Sequence, residues 1–535
     1  MKADEIMRPS FTREATGIVR ELGLRDVFLI SAGCATLQAN FLWLFSWPDL
    51  TFPGSSPFWI CTFALVIVVP ISFVYILLSS AMPRSGGDYV YVSRILRPNV
   101  GFMTSFVVAM AMFMCLGTDM MYFVSTAVSP TLTVAGVLFS NPSFVTIGQA
   151  TASPSATFQI GAVIMIAMSA LAMTRAKNAM RIAGVFMALS ILGAIITAGL
   201  LLVTSHDAFI TIWNIKMGSY GTYDQLISTA KGLGWTPSTP NIWASVSAMG
   251  FGAWLFFGWI FPVYVGGEIK EASKNMLVGL VASILFLWFF WVLIGEMSWA
   301  VAGKDWTSAV NWLATNHPTN YPVPSYPWIS FITPLLTDNP VLIWLMLIGY
   351  SAMWIANDLP KIMVTSRIIF SWSFDRVMPK FAANVSDRFH APTWAVVITG
   401  TLAIVWLYIG VFTGIFSYYL NIAGLILIAY SIVSISAAAF PFRLKTIFEA
   451  SPSFVKVRVG GIPLISILGS ISAIIGVYAT YYALTTPVMG PVSMSSYSTI
   501  AVIFILGLVV YEVAKYYRKK QGLDLELAFK VIPPE

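Results

Sequence analysis

The sequence predicts an all-α integral membrane protein with 12 transmembrane helices. Three observations carry that expectation. Of the 535 residues 58% are hydrophobic and only 10% charged, long stretches run without a single charge, and the basic residues gather in short connectors between them. A soluble domain carries roughly a quarter charged residues, so a soluble enzyme of one or two domains is excluded. A mean hydropathy of +0.80 agrees.

Each span follows from length, because a helix needs about 20 apolar residues to cross a bilayer. The charge-free runs 27–48, 50–83, 98–118, 182–206, 232–267 and 275–295 hold one span each. The run 120–174 completes the third span and holds the fourth, with the Pro/Ser/Thr-rich stretch 129–157 read as a connector. The runs 389–442 and 459–511 hold two spans each, divided near Val411–Gly414 and Thr485–Ser498. A final span, about 339–372, tolerates Asp358 and Lys361.

Charge sets the orientation. With the N-terminus inside, 26 of the 30 Lys and Arg residues fall on the cytoplasmic side. Only Lys216, Lys231 and Lys304 fall outside, and Lys361 lies within a span. That asymmetry obeys the positive-inside rule and predicts a multi-pass protein of the cell membrane with both termini cytoplasmic. The net charge of +7 is therefore topological, and with no basic stripe carrying interleaved aromatics no nucleic-acid partner is expected. Charges of both signs through the first 26 residues argue against a cleaved signal peptide.

The chain divides into an N-terminal tail (1–26), a first block of five helices (27–204), an outer loop (205–241) and a second block (242–440) holding the outer loop 302–338. A cytoplasmic loop (441–462), the last two helices (463–517) and a C-terminal tail (518–535) follow. The Trp- and Pro-rich loop 302–338 either lies on the membrane interface or caps an outer vestibule, and the tail after Lys520 reads as a solvated end. Cys34, Cys61 and Cys115 lie in apolar stretches and imply no disulfide framework. His206, His317 and His390 lack metal-ligand spacing, so neither metal nor cofactor is expected beyond a coupling H+ or Na+.

Two spans are interrupted. The first reads Ser31-Ala32-Gly33-Cys34-Ala35-Thr36-Leu37-Gln38-Ala39-Asn40, small and polar at mid-membrane, and the sixth carries Gly250, Gly252 and Gly258 among aromatics. Unwound backbone at membrane depth is tolerated only where it lines a cavity or is buried in protein. A broken helix frees N–H groups for an anion and C=O groups for a cation, and paired breaks point to a transporter's binding site. Small residues for close helix packing explain Gly250 and Gly252 equally well.

Ionisable residues within spans are functional candidates by default. Asp358 lies beside Asn357, three residues before Lys361 and thus on the same helix face. The cluster reads either as a neutralised internal pair beside Pro360 or as a proton carrier or amine receptor. Asp119 in the third span and Glu296 in the seventh are further candidates.

Three connector motifs carry a family resemblance. They are Pro83-Arg84-Ser85-Gly86-Gly87-Asp88-Tyr89 after the second span, Gly267-Glu268-Ile269-Lys270-Glu271 after the sixth, and Ser366-Arg367-Ile368-Ile369-Phe370 with Asp375-Arg376 ending the eighth. In this order and placement they resemble the amino acid–polyamine–organocation (APC) superfamily, in its amino acid permease branch, over roughly residues 20 to 480. The resemblance implies two five-helix repeats of inverted topology (a LeuT-like core), two peripheral helices, and alternating access. It places substrate binding on Gly33, Cys34, Ala35, Thr36, Leu37 and Gln38 of helix 1 and on Trp254, Phe256 and Gly258 of helix 6. Two features depart from the family pattern. Its Gly-Ser-Gly falls on Leu37-Gln38-Ala39, and Ser190 stands where many members carry a lysine.

The function expected is a secondary active transporter of amino acids or related amines, and not an enzyme. A polyamine or organic-cation transporter or exchanger, or a non-transporting membrane sensor, remains open. No Gly-x-x-x-x-Gly-Lys-[Ser/Thr] motif is present, so ATP is not the expected energy source.

Overall fold

A chain this apolar must satisfy its backbone within lipid, and helices do so along their own length. A computed structural model describes residues 17–416 and 421–529. It is helical nearly throughout, and among the described residues the sole strands are the two-residue pair Arg458–Val459 and Ile462–Pro463.

Among the described residues eleven segments are long and apolar enough to cross a membrane, so this is a multi-pass membrane protein. They are Leu24–Ser46, Pro57–Ala81, Pro98–Leu138, Pro154–Ala172, Ala176–Val203, Ala272–Ala302, Pro340–Phe374, Thr393–Phe412, Ile422–Arg443, Leu464–Thr485 and Met494–Lys520. The expected sixth span is not among them. Its chain is divided into helices Ile242–Ser247 and Met249–Leu255, then single 3-10 turns at Phe261–Tyr264 and Gly266–Glu268. We keep the numbering of the sequence reading, with this interrupted segment as the sixth.

Burial sorts the helices. Of the most apolar window, 89% is buried in the first span and 22% in the last. By this measure the first, third and second spans are the most enclosed and the twelfth lies at the edge. Apolar side chains such as Val163, Val203 and Ile474 point outward, as lipid-facing residues do.

Both interruptions sit at the centre and touch. The first span turns at 35–38 between Leu24–Cys34 and Ala39–Ser46, with Thr36 in the left-handed region at φ 51°. Asn40 Nδ2 donates to Ala35 O at 2.8 Å and to Leu255 O at 2.7 Å, joining the two breaks. Gly258 has φ +99°, and a Cβ there would lie 2.6 Å from the Cys34 carbonyl carbon. Only glycine fits both the conformation and the space.

Several connectors differ from their sequence reading. Residues 129–157 are largely helical: the third span runs on through a π-helical stretch at Phe123–Val128 to Leu138, and Pro142–Thr151 folds back against it. Proline at the first turn of Pro142–Thr151 and Pro154–Ala172 starts helices here instead of ending them. The loop 302–338 packs on the loop 205–241, with the Trp306 and Tyr223 rings stacked 5.6 Å apart, and Trp328 meets Trp43 edge-on at 5.3 Å. The tail after Lys520 docks as far as it is described. Leu525, Ala528 and Phe529 are buried, and the Arg94 guanidinium lies 4.9 Å from the Phe529 ring centre.

The three connector motifs converge on the end of the bundle that carries both described chain ends. Arg367 Nε and Nη2 donate to the Glu268 carboxylate at 2.7 and 3.1 Å, and Arg94 pairs with Asp375 at 2.6 Å. Backbone bonds seal the same end: Gly86 N to Tyr264 O at 2.9 Å, and Lys270 N to Leu22 O at 2.9 Å.

Contact between the breaks makes a stability prediction. Gly258→Ala is expected to cost about 1–3 kcal/mol in thermal unfolding of the detergent-purified protein. Gly199→Ala, in a helix and with open space at its Cβ, is expected to be neutral or stabilising by up to about 1 kcal/mol. Equal melting temperatures for the two variants would mean that the breaks do not touch.

Candidate functional site

A cavity of about 440 Å³ opens beside the two breaks, within the usual volume range for small-molecule sites. Cys34, Thr36 and Asn40 from the first span, Trp254, Leu255 and Phe257 from the sixth, and Trp354 and Lys361 from the eighth line it. The third span contributes Cys115, Thr118, Asp119 and Tyr122, one helical face by spacing. The cavity leads away from the sealed end, past Trp47 and Phe416 to Pro487–Pro491. A larger recess of about 570 Å³ lies at the sealed end among Arg97, Glu512, Lys515 and Phe529, remote from the breaks. The smaller cavity is therefore the candidate site.

The walls are aromatic. Trp43 lies 4.5 Å from Trp47, 5.0 Å from Tyr122 and 6.4 Å from Trp254, ring centre to ring centre, while Tyr122 stacks on Trp354 at 6.3 Å. Such faces present negative quadrupoles and favour a cationic group between them.

The floor is charged. Lys361 Nζ donates to Asp119 Oδ2 in a short ion pair and lies 3.6 Å from Asp358 Oδ1. Asn357 Nδ2 donates to Asp358 Oδ1 at 2.8 Å and to Asp119 Oδ2 at 3.2 Å. Asp119 reaches the cavity, whereas Asp358 is wholly enclosed. Two carboxylates thus face one ammonium. Asp358 Oδ2 and Asn357 Oδ1 have no hydrogen-bond partner among the described residues. In a low-dielectric interior, unpaired negative charge of this kind is costly, so with both carboxyls ionised the cluster would be one positive charge short.

The sequence-predicted residues divide between the cavity and its support. Cys34, Thr36, Trp254, Asp119 and Lys361 line it. Gly33 instead faces the eighth span, where a Cβ would meet Ala356 O at 2.8 Å. Ala35 and Leu37 are buried, and their carbonyls accept from Asn40 Nδ2 and from Trp291 Nε1 at 2.9 Å. Gln38 turns toward the fifth span, accepting from Ser190 Oγ at 3.1 Å. Gly258 is the contact between the breaks.

Phe256 requires a correction. Its ring packs edge-on against Trp291 at 4.7 Å, away from the cavity, and Phe257 takes the lining position. The helix ends at Leu255, so the following side chains no longer keep helical spacing. Lys361 also differs from expectation: its closest partner is Asp119 across the bundle, with Asp358 second. Glu296 serves the helix starting at Pro57, accepting from Ser56 Oγ and Phe58 N at 2.7 Å each.

Residues 31–518 match the amino acid permease family. The chain belongs to that family. Membership makes this permease a transporter of amino acids or related compounds, in keeping with the resemblance read from its connector motifs. No curated protein matches it.

Neighbouring aromatics separate binding from packing. Phe257→Ala is expected to weaken substrate binding with little change in melting temperature. Phe256→Ala is expected to cost about 3–5 kcal/mol of stability and to leave affinity near normal in the protein that folds. Thermal unfolding and equilibrium binding of the two variants check this, and the reverse pattern would return Phe256 to the site.

Proposed function

We propose that this permease carries amino acids or related amines across the cell membrane by alternating access, with the Asp119–Lys361 pair reading the substrate. The observation that carries the reading is an ion pair on the floor of a cavity where two broken spans meet. A zwitterion would split that pair, its ammonium going to Asp119 between the aromatic walls and its carboxylate to Lys361. Side-chain recognition of this kind would offset the loss of close backbone approach where Leu37-Gln38-Ala39 replaces small glycines.

The sealed end bears Arg94, Glu268, Arg367 and both described chain ends. The positive-inside rule makes that end cytoplasmic, so the conformation is closed inward with its cavity reached from outside. Transport would then require separation of the Glu268–Arg367 and Gly86–Tyr264 contacts. The missing positive charge of the floor cluster supports cation coupling, since a proton on Asp358 or an arriving ammonium would balance it. The same deficit favours a second reading, an organic cation such as a polyamine.

Uptake into proteoliposomes separates these. A labelled panel of amino acids and polyamines would be run with an inward proton gradient, an inward sodium gradient, and neither. Uptake of amino acids driven by one of the gradients is expected; binding without flux of any member would favour the sensor. Asp119→Asn leaves Lys361 paired with Asp358, and it is expected to lower affinity about 10- to 150-fold, the worth of one charged hydrogen bond. The double variant Lys361→Met with Asp358→Asn keeps the net charge and removes the carboxylate receptor. It should weaken amino acids in the same way, and undiminished binding of a polyamine to it would establish the cation reading.

A further inference from the structure

The inward end holds a buried acid that the substrate site does not use. Asp88 begins the short helix Asp88–Ile95 in the connector between the second and third spans, and no part of it is exposed. Its Oδ2 accepts from the Tyr264 hydroxyl at 2.7 Å. Tyr75 faces its other side, yet Asp88 Oδ1 and the Tyr75 hydroxyl both lack a partner in hydrogen-bond geometry among the described residues. A proton on Oδ1 would satisfy both atoms at once.

Among the described residues no cation pairs with this carboxyl. The groups facing it are hydroxyls: Tyr75 of the second span, Tyr264 of the interrupted sixth and, beyond them, Tyr430 of the tenth. On its own helix Tyr91 is also buried, and Arg94 is paired with Asp375. The packed third span carries no charge from 98 to 118, and on the eighth Arg367 is held by Glu268. Burial pushes the Asp88 carboxyl up to about 7, more than Tyr264, Tyr75 and its own backbone amide pull it down.

Position gives the group its meaning. The Asp88–Tyr264 bond joins the connector after the second span to the end of the sixth, beside Gly86 N to Tyr264 O at 2.9 Å. Gly87 has φ +49°, and a Cβ there would lie 2.7 Å from the Tyr264 ring, so the two segments are in tight contact. They are the elements that must part for the inward end to open.

We propose that Asp88 is a proton-binding site of the inward gate, loaded while the gate is closed and discharged to the cytoplasm as it opens. The proposal rests on the alternating-access reading above. Opening brings water to Asp88, and its carboxyl returns toward the ordinary range near 4. Between about pH 4 and 7 the closed gate therefore holds one proton more than the open gate. Closure is favoured by acid, loses about tenfold for each pH unit gained in that window, and levels off above about 7. No bond other than O–H is made or broken: the proton enters on Asp88 Oδ1 and leaves to cytoplasmic water.

Spin labels on encoded keto-bearing residues at Arg97 and Lys270, both exposed, would report the opening of this end in lipid nanodiscs and spare the native cysteines. The wild-type open-to-closed ratio is expected to rise between pH 5 and 7 and then level off. Asp88→Asn, which mimics the protonated acid, is expected to stay closed with no response in that window. Asp88→Glu, which keeps a titrating group, guards against a folding artefact and is expected to respond. A wild type without the response, or an Asn variant that retains it, would overturn the proposal. Uptake in the same pH series tests the underlying reading separately, because a pH-switched gate without flux of any panel member would sink transport and leave the Asp88 site standing.

Discussion

Lipid offers no hydrogen bonds, so any backbone that leaves helical geometry at membrane depth must find its partners within the protein. In this permease two such departures answer one another. Asn40 spans both, donating to Ala35 O and Leu255 O, while Gly258 lets the sixth segment lie against the Cys34 carbonyl. Everything around them follows from that mutual satisfaction. The first span is the most buried of the eleven, the aromatic residues gather where the breaks leave a gap, and the charged floor sits beside it. Without the contact between the breaks, neither interruption would be tolerated and no cavity would form.

Charge is distributed with equal economy. At the sealed end two buried guanidiniums each meet a carboxylate: Arg367 meets Glu268 and Arg94 meets Asp375. A pair of this kind adds little net stability compared with apolar packing, but removing one partner is severe, so it fixes which elements meet. The connector motifs that signal the family are these joints. Their residues make the closure of that end and do not line the cavity.

Composition and charge-free runs were enough for eleven spans, and the connector motifs for the family. What the sequence left illegible has a common cause, which is that linear spacing does not report partners across the bundle. The spacing of three residues between Asp358 and Lys361 spoke for that pair, yet Asp119, some 240 positions away, lies closer to the ammonium. The family resemblance likewise put Phe256 in the site, and the chain leaves the helix one residue earlier. The sixth span satisfied the length rule as a charge-free run, but its chain leaves the helix at Ala248 and again after Leu255, so no single helix crosses there. One signal was read only at Asp119: with Cys115, Thr118 and Tyr122 it forms one face of the third span that lines the cavity.

The two acidic sites differ in a way that bears on coupling. Asp358 lacks a full counter-charge but sits beside Lys361, so any cation that reaches the floor, whether proton or ammonium, balances it. Asp88 is fully buried with hydroxyls facing it among the described residues, so on the proposal above the cation it takes is a proton. On the proposed reading a substrate amine would compete with a proton at the cavity but not at the gate. On the alternating-access reading, the floor would respond to what is bound and the gate to the pH of the side it faces. Two acids with such different neighbours would let one proton gradient act on closure while the substrate acts on the cavity. Coupling would then lie in the shared requirement that the Gly86–Tyr264 and Glu268–Arg367 contacts part together.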